Sequence, residues 1–136
     1  MTDLRKELPC TVNVLGTEYR VEMRDHNDDP SFTEDDSSAY CYCDAKLIVV
    51  GNLLTFPAAT GTAASKEEGS TIHGACIEGE CVALRHELIH AFLNESGLRW
   101  DSHAHSGAWA KNEEMIDWFA IQSPKIFATY KELGIL

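Results

Sequence analysis

One stretch, His86-Glu87-Leu88-Ile89-His90, constrains this chain more than any other. Histidines four apart on an α-helix lie on one face, one turn apart, so their imidazoles can converge on a single ion. Glu87 sits beside that face and can reach a water on the same ion. Two neutral ring nitrogens, a carboxylate and an open position are what a catalytic zinc site requires. A bare H-E-x-x-H also arises by chance, and the alternative is a helix that carries two histidines near its core face. The surroundings favour the metal. Leu84, Leu88, Ile89, Ala91, Phe92 and Leu93 make the helix largely buried. A buried helix that keeps two His and a Glu needs a reason, because unpartnered buried polar groups are costly.

Two histidines leave the site one protein ligand short. Glu113, Asp117 and Ala120 share one face of a second helix by their spacing. Glu113 can ligate, and Asp117, one turn on, can accept the free ring N–H of His86 or His90 and so hold its tautomer. Glu114 is a further candidate. His105 competes with them, because it opens a new helix after a loop, and His103 is a second version of the same idea. The bland alternatives are an ordinary exposed acidic face and idle loop histidines. The metzincin extension is absent: Leu93 and Ser96 stand where it needs Gly and His.

The rest of the chain frames the motif. The 136 residues suffice for a single domain, 1–136, with a real core, and 44% hydrophobic content is ordinary for a globular protein. No apolar run approaches the ~20 residues a membrane span needs. A net charge of −11 argues against a nucleic-acid or anionic-membrane partner, since phosphate binding rests on Lys and Arg. Met1–Glu7 has no apolar stretch of the secretory kind, so a cytoplasmic location is expected. Five cysteines, an odd number, suit reduced thiols. Cys41-x-Cys43 and Cys76-x4-Cys81 could form a structural zinc site, but their spacings are not the usual knuckles, and packed thiols are the preferred reading.

In chain order, Thr11–Leu15 and Tyr19–Met23 alternate around Gly16-Thr17, which predicts a hairpin with a II′ turn. Asp25–Ser38 reads as a solvated acidic loop; Pro30 stands where a calcium loop needs Gly. Tyr40–Val50 reads as one strand. Residues 57–75 read as a long loop, for which plain flexibility is the preferred reading and a lid over the cleft the alternative. The motif helix is expected to begin near Glu80 and to end at Gly97. A second helix is expected from about Gly107 to Gln122 with Ser106 as its cap, and a third from Ser123-Pro124 to Gly134. The expected fold is α+β: a small antiparallel sheet of about three strands against the metal-site helices.

Leu84–Leu93, Glu95–Leu98 and Trp109–Ala120 together resemble the small phage- and prophage-encoded zincin-like metallopeptidases. These are similar in architecture to ImmA/IrrE-type peptidases and belong broadly with the gluzincins. The resemblance spans residues 84–124 and is looser over the hairpin and over Cys41-Tyr42-Cys43-Asp44. It implies one Zn2+ held by His86, His90 and Glu113, with Asp117 as the supporting carboxylate, because N-E-x-x-x-D falls on those positions. It implies Glu87 as the catalytic acid–base in hydrolysis of a protein or peptide substrate, in the host cytoplasm if the chain is phage-encoded. His103, His105 and Tyr130 are candidate donors to the developing oxyanion. An edge strand could hold the substrate in extended form.

The rival resemblance is to SprT-like proteases, whose third-ligand region is similar to His105-Ser106-Gly107 followed by Trp109. Those proteins act on DNA-bound protein, a task to which a charge of −11 is poorly suited. A second function class is a catalytically inactive module in which zinc pins two helices together for a partner. Glu87 is not needed for that, and structural zinc is usually closed by four protein ligands.

Overall fold

The computed structural model describes residues 2–57, 67–101 and 113–136. Its elements are α1 (Leu4–Glu7), β1 (Cys10–Val14), β2 (Thr17–Arg24), α2 (Pro30–Thr33), β3 (Ala39–Tyr42), β4 (Leu47–Gly51), α3 (Thr71–Glu95), α4 (Leu98–Asp101) and α5 (Glu113–Glu132). The fold is α+β, with a sheet of order β1-β2-β4-β3.

The hairpin forms where alternation places it, but its turn is one residue earlier than expected. Val14 pairs with Thr17, leaving Leu15-Gly16 as the loop. Both have positive φ, 51° and 94°. That is the type I′ pattern, whose twist matches the flanking strands. Asn13 Oδ1 accepts the Gly16 N–H at 2.9 Å and holds the turn.

The single strand expected over Tyr40–Val50 is two. Cys43–Ala45 form a 3-10 turn, and Lys46 takes a left-handed conformation at φ 54°, so β3 folds back antiparallel to β4. β4 then pairs with β2 in parallel, Val21 opposite Ile48. The expected three-stranded antiparallel sheet is therefore a four-stranded mixed one. A parallel pair needs a connection of a dozen or more residues. The stretch from Asp25 to Lys46 supplies it.

Over Asp25–Ser38 that connection is largely exposed, as expected, but it is anchored at two buried residues and carries a short helix. Phe32 is buried and packs beside Tyr40 and Phe56. Asp29 is also buried, caps α2 through the Ser31 N–H, and accepts from Arg24 Nη1 and the Tyr40 hydroxyl at 2.7 Å each. Burial alone would raise its pKa; the Tyr40, Arg24 and Ser31 donors outweigh it and hold the carboxyl low.

The other sheet face carries the core. Val12, Val14, Tyr19, Val21, Ile48 and Val50 share it by register and meet Leu84, Leu88, Ala91 and Phe92 of α3. Trp118, Ile126 and Tyr130 of α5 close the cluster. α3 begins at Thr71, well before Glu80, because Ser70 caps it by accepting the His73 N–H at 3.1 Å. Gly79, read as a boundary, lies inside the helix, where a Cβ would stand 2.9 Å from Leu53 Cδ1. The glycine lets the turn at Leu53–Thr55 approach the helix. The long loop shortens accordingly; residues 58–66 of the stretch read as a loop or lid lie outside the described residues.

The second and third expected helices are one. α5 runs through Pro124 without a break, and residues 102–112, where an earlier start and the Ser106 cap were expected, lie outside the described residues. Packing of Trp118 before the proline and of Ile126 and Tyr130 after it holds both halves to the core, which offsets the lost hydrogen bond. Gly97 and Gly134 end α3 and α5 as expected, with φ of 85° and 65°. Among the described residues no helix is long and apolar enough to cross a membrane.

Candidate metal centre

α3 carries His86, Glu87 and His90 on the turns that pass the β3 end of the sheet. Leu84, Leu88, Ala91 and Phe92 anchor its inner face to the core. Outward, His86 and His90 are both exposed, and their Nε2 atoms stand 3.1 Å apart. Zinc–nitrogen bonds of 2.0–2.1 Å at the tetrahedral angle put two ligand nitrogens about 3.3 Å apart. The two rings thus stand within a few tenths of an ångström of the spacing one zinc ion demands, and they fit it.

Glu87 is 8% exposed although it lies between two exposed histidines. Burial pushes its carboxyl above the ordinary carboxylate range; the His90 and His86 charges and the Cys41 backbone N–H act in the opposite direction. Beside it opens a cavity of about 640 Å³. Glu87, His90, Cys41 and Cys43 line one part, and Leu93, Leu98, Met115 and Trp118 give another part an apolar wall. Trp118 is held there by donating from Nε1 to Ser96 Oγ at 2.9 Å.

The site residues expected from sequence divide into three groups. His86, Glu87 and His90 are brought together. Glu114 lines the same cavity. The backbone of Glu113 and Asp117 belongs to the first turns of α5, but their side chains, and His103 and His105 altogether, lie outside the described residues. Among the described residues no cluster of three or more His, Cys, Asp or Glu side chains is placed to hold a metal ion. Tyr130 is a correction: its hydroxyl donates to the Arg85 carbonyl at 3.0 Å and it is 5% exposed. It fastens α5 to α3 from within the core and does not face the cavity.

Sequence reasoning missed that Cys41 and Cys43 belong to this cavity. Their Sγ atoms are 3.4 Å apart, and Cys43 Sγ lies 4.0 Å from the His90 carbonyl oxygen. Burial, then the Cys43 thiol and the Glu87 charge, push the Cys41 thiol up. The signal was present in the alternation, since residues two apart on a strand share a face. Comparison of the chain with protein-family models, with curated proteins and with solved structures finds no match in any of the three.

Proposed function

We propose that the protein is a zinc-dependent metallopeptidase of zincin type that cleaves a protein or peptide substrate. The observation that carries this reading is the His86–His90 Nε2 separation of 3.1 Å with the buried carboxyl of Glu87 between them. His86 and His90 would hold the zinc, and Glu113 is the third ligand we favour, with Asp117 behind it and Glu114 or His105 as the competing choices. When bound, zinc supplies a Lewis acid and an activated water. Glu87 takes up a proton and returns it to the leaving amine, and its burial beside the open histidine face favours that role, because a general base works best when its pKa approaches the working pH. An apolar substrate side chain would occupy the cavity against Leu93, Leu98, Met115 and Trp118. The substrate main chain would run along β3, which is an edge strand and lines the cavity at Ala39–Cys41.

Metal content and peptide cleavage test the reading together. The parent should hold one zinc. Glu87→Gln should keep it and lose turnover by about 10²–10⁴-fold. Glu113→Ala should lose the metal and His105→Ala should keep it; the reverse would move the protein to the SprT-like arrangement. No zinc uptake by the parent after metal is added, or full cleavage by Glu87→Gln, would overturn the proposal.

A further inference from the structure

The cavity wall beside Glu87 carries two thiols for which hydrolysis has no use. Cys41 is paired with Ile48, so its side chain stands on the core face of the sheet, toward α3. On a flat strand, residues two apart share a face but stand about 7 Å from each other. Here the sulfurs of Cys41 and Cys43 are 3.4 Å apart. The cause is local. Tyr42 between them sits at φ −90° and ψ 83°, close to the inverse γ-turn, which folds the chain back on itself. The strand ends there, and the kink draws the second thiol onto the first. Both sulfur-bearing residues line the cavity, Cys41 half-buried and Cys43 buried. Cys41 and Cys10 both pack against the main core and Cys81 lies within it, but of the three only Cys41 also lines the cavity.

We propose that Cys41 and Cys43 form a reversible dithiol–disulfide site whose substrate is a small-molecule disulfide of the glutathione class. One thiol, as its thiolate, attacks a sulfur of the small disulfide and expels one small thiol, leaving a mixed disulfide on the protein. The second cysteine then attacks the protein-bound sulfur, expels the second small thiol and closes the Cys41–Cys43 bond. Two electrons pass from the pair to the small disulfide, and the two protons leave on the two released thiols. The sulfurs need to close from 3.4 Å to about 2.05 Å. A disulfide across one intervening residue closes a small ring, and strained disulfides are the readily reduced ones, so the bond opens again when the small thiol is in excess. Cys41, Cys43 and Glu87 line one cavity, so closing the bond reshapes the wall beside the group that handles the proton. That consequence rests on the peptidase reading; formation of the disulfide does not.

The test uses the full chain in mixtures of glutathione and oxidised glutathione, with thiols trapped and peptides mapped by mass. All five cysteines are free at the start. As the oxidised share rises, the parent should lose two titratable thiols, retaining three, with the bond mapped to Cys41 and Cys43, and should regain both on reduction. Cys41→Ser and Cys43→Ser, each checked for its circular dichroism spectrum, should instead stop as a stable mixed disulfide with glutathione on the remaining cysteine of the pair. A parent that keeps all five thiols, that accumulates the mixed disulfide as the variants do, or that forms its bond through Cys10, Cys76 or Cys81 would overturn the proposal. Peptide cleavage read on the same samples separates the two claims. A disulfide that forms while cleavage is unchanged removes the link to Glu87 and leaves the redox site standing. Absence of cleavage under reducing conditions counts against the peptidase reading alone.

Discussion

Glu95 closes α3 a little more than one turn beyond His90, and replacing it with Gln should loosen α3 from the sheet by a predictable amount. Its carboxylate accepts from the Tyr19 hydroxyl at 2.7 Å, from Thr17 Oγ1 and Asn94 Nδ2 at 3.0 Å each, and from Lys46 Nζ. Thr17 and Tyr19 belong to β2 and Lys46 leads into β4, so one side chain ties the end of the helix to two strands. Burial alone would raise its pKa; the Lys46, Tyr19, Thr17 and Asn94 donors outweigh it and bring the carboxyl down to about 2, from an ordinary value of 4.5. At about 1.4 kcal/mol for each pH unit, that difference contributes about 3 kcal/mol at neutral pH. The side chain is 13% exposed, so solvent screening takes little of it. The sign follows from the lowered folded-state value. The contribution is complete above the unfolded value of 4.5 and is lost as pH falls toward 2. Gln keeps the shape and part of the hydrogen bonding, so Glu95→Gln should cost about 2–3 kcal/mol in urea denaturation at pH 7, shrinking to about 1 kcal/mol at pH 3. A difference below about 0.5 kcal/mol at pH 7, or one that stays constant down to pH 3, would refute the reasoning, because a purely steric loss does not titrate.

Two further substitutions test how α3 and α5 are held. Glu80 is fully buried; its Oε1 accepts from Arg5 Nη2 at 2.6 Å and from the Leu53 N–H at 2.9 Å, while Oε2 has no partner. Burial raises its carboxyl to about 7 against the Leu53 N–H and the Arg5 charge, so its contribution to stability is complete below 4.5 and falls away as pH rises through about 7. Arg5→Ala should therefore cost about 3 kcal/mol, more at pH 8.5 than at pH 5.5; a loss independent of pH in thermal melts would show that Arg5 acts by packing alone. Pro124→Ala should restore a backbone N–H inside α5 and raise the melting temperature, with a net gain of about 1–2 kcal/mol after the unfolded-state entropy that proline removes is counted. A lower melting temperature for that variant would mean that the helix is shaped around the ring.

What could be read from the sequence and what could not separate along one line: periodicity and spacing report on faces, and they are silent about direction and distance. The faces were legible. Leu84, Leu88, Ala91 and Phe92 are the buried stripe of α3, and His86 and His90 emerge on one open side because residues four apart must. Val12, Val14, Tyr19 and Val21 point one way because strand side chains alternate. Direction was not legible. Nothing in Cys43–Leu47 carries the Gly or Asn that usually marks a reversal, yet Lys46 takes the left-handed turn, and with it the sheet gains a fourth strand and a parallel pair. Gly79 and Pro124 misled in the same manner. Each weakens a helix locally, and each lies in a helix whose two halves are fastened separately: α3 by the Ser70 cap and its core stripe, α5 by Trp118 on one side and Ile126 with Tyr130 on the other. Tertiary burial outweighed a local preference of about 1 kcal/mol for glycine and about 3 for proline.

The same distinction bears on the site itself. The two histidines could be placed from spacing because one helix holds both. A candidate ligand on α5 cannot be placed that way, because its position depends on how α5 approaches α3, and that approach is set by contacts such as Trp118 Nε1 on Ser96 Oγ and the Tyr130 hydroxyl on the Arg85 carbonyl. Those two bonds bring the start of α5 to the cavity, where Glu114 and Met115 line the wall. If the proposed metal reading holds, the N-terminal turn of α5, which begins at Glu113 and puts Glu114 on the cavity wall, is an element on which a third ligand is to be sought by substitution.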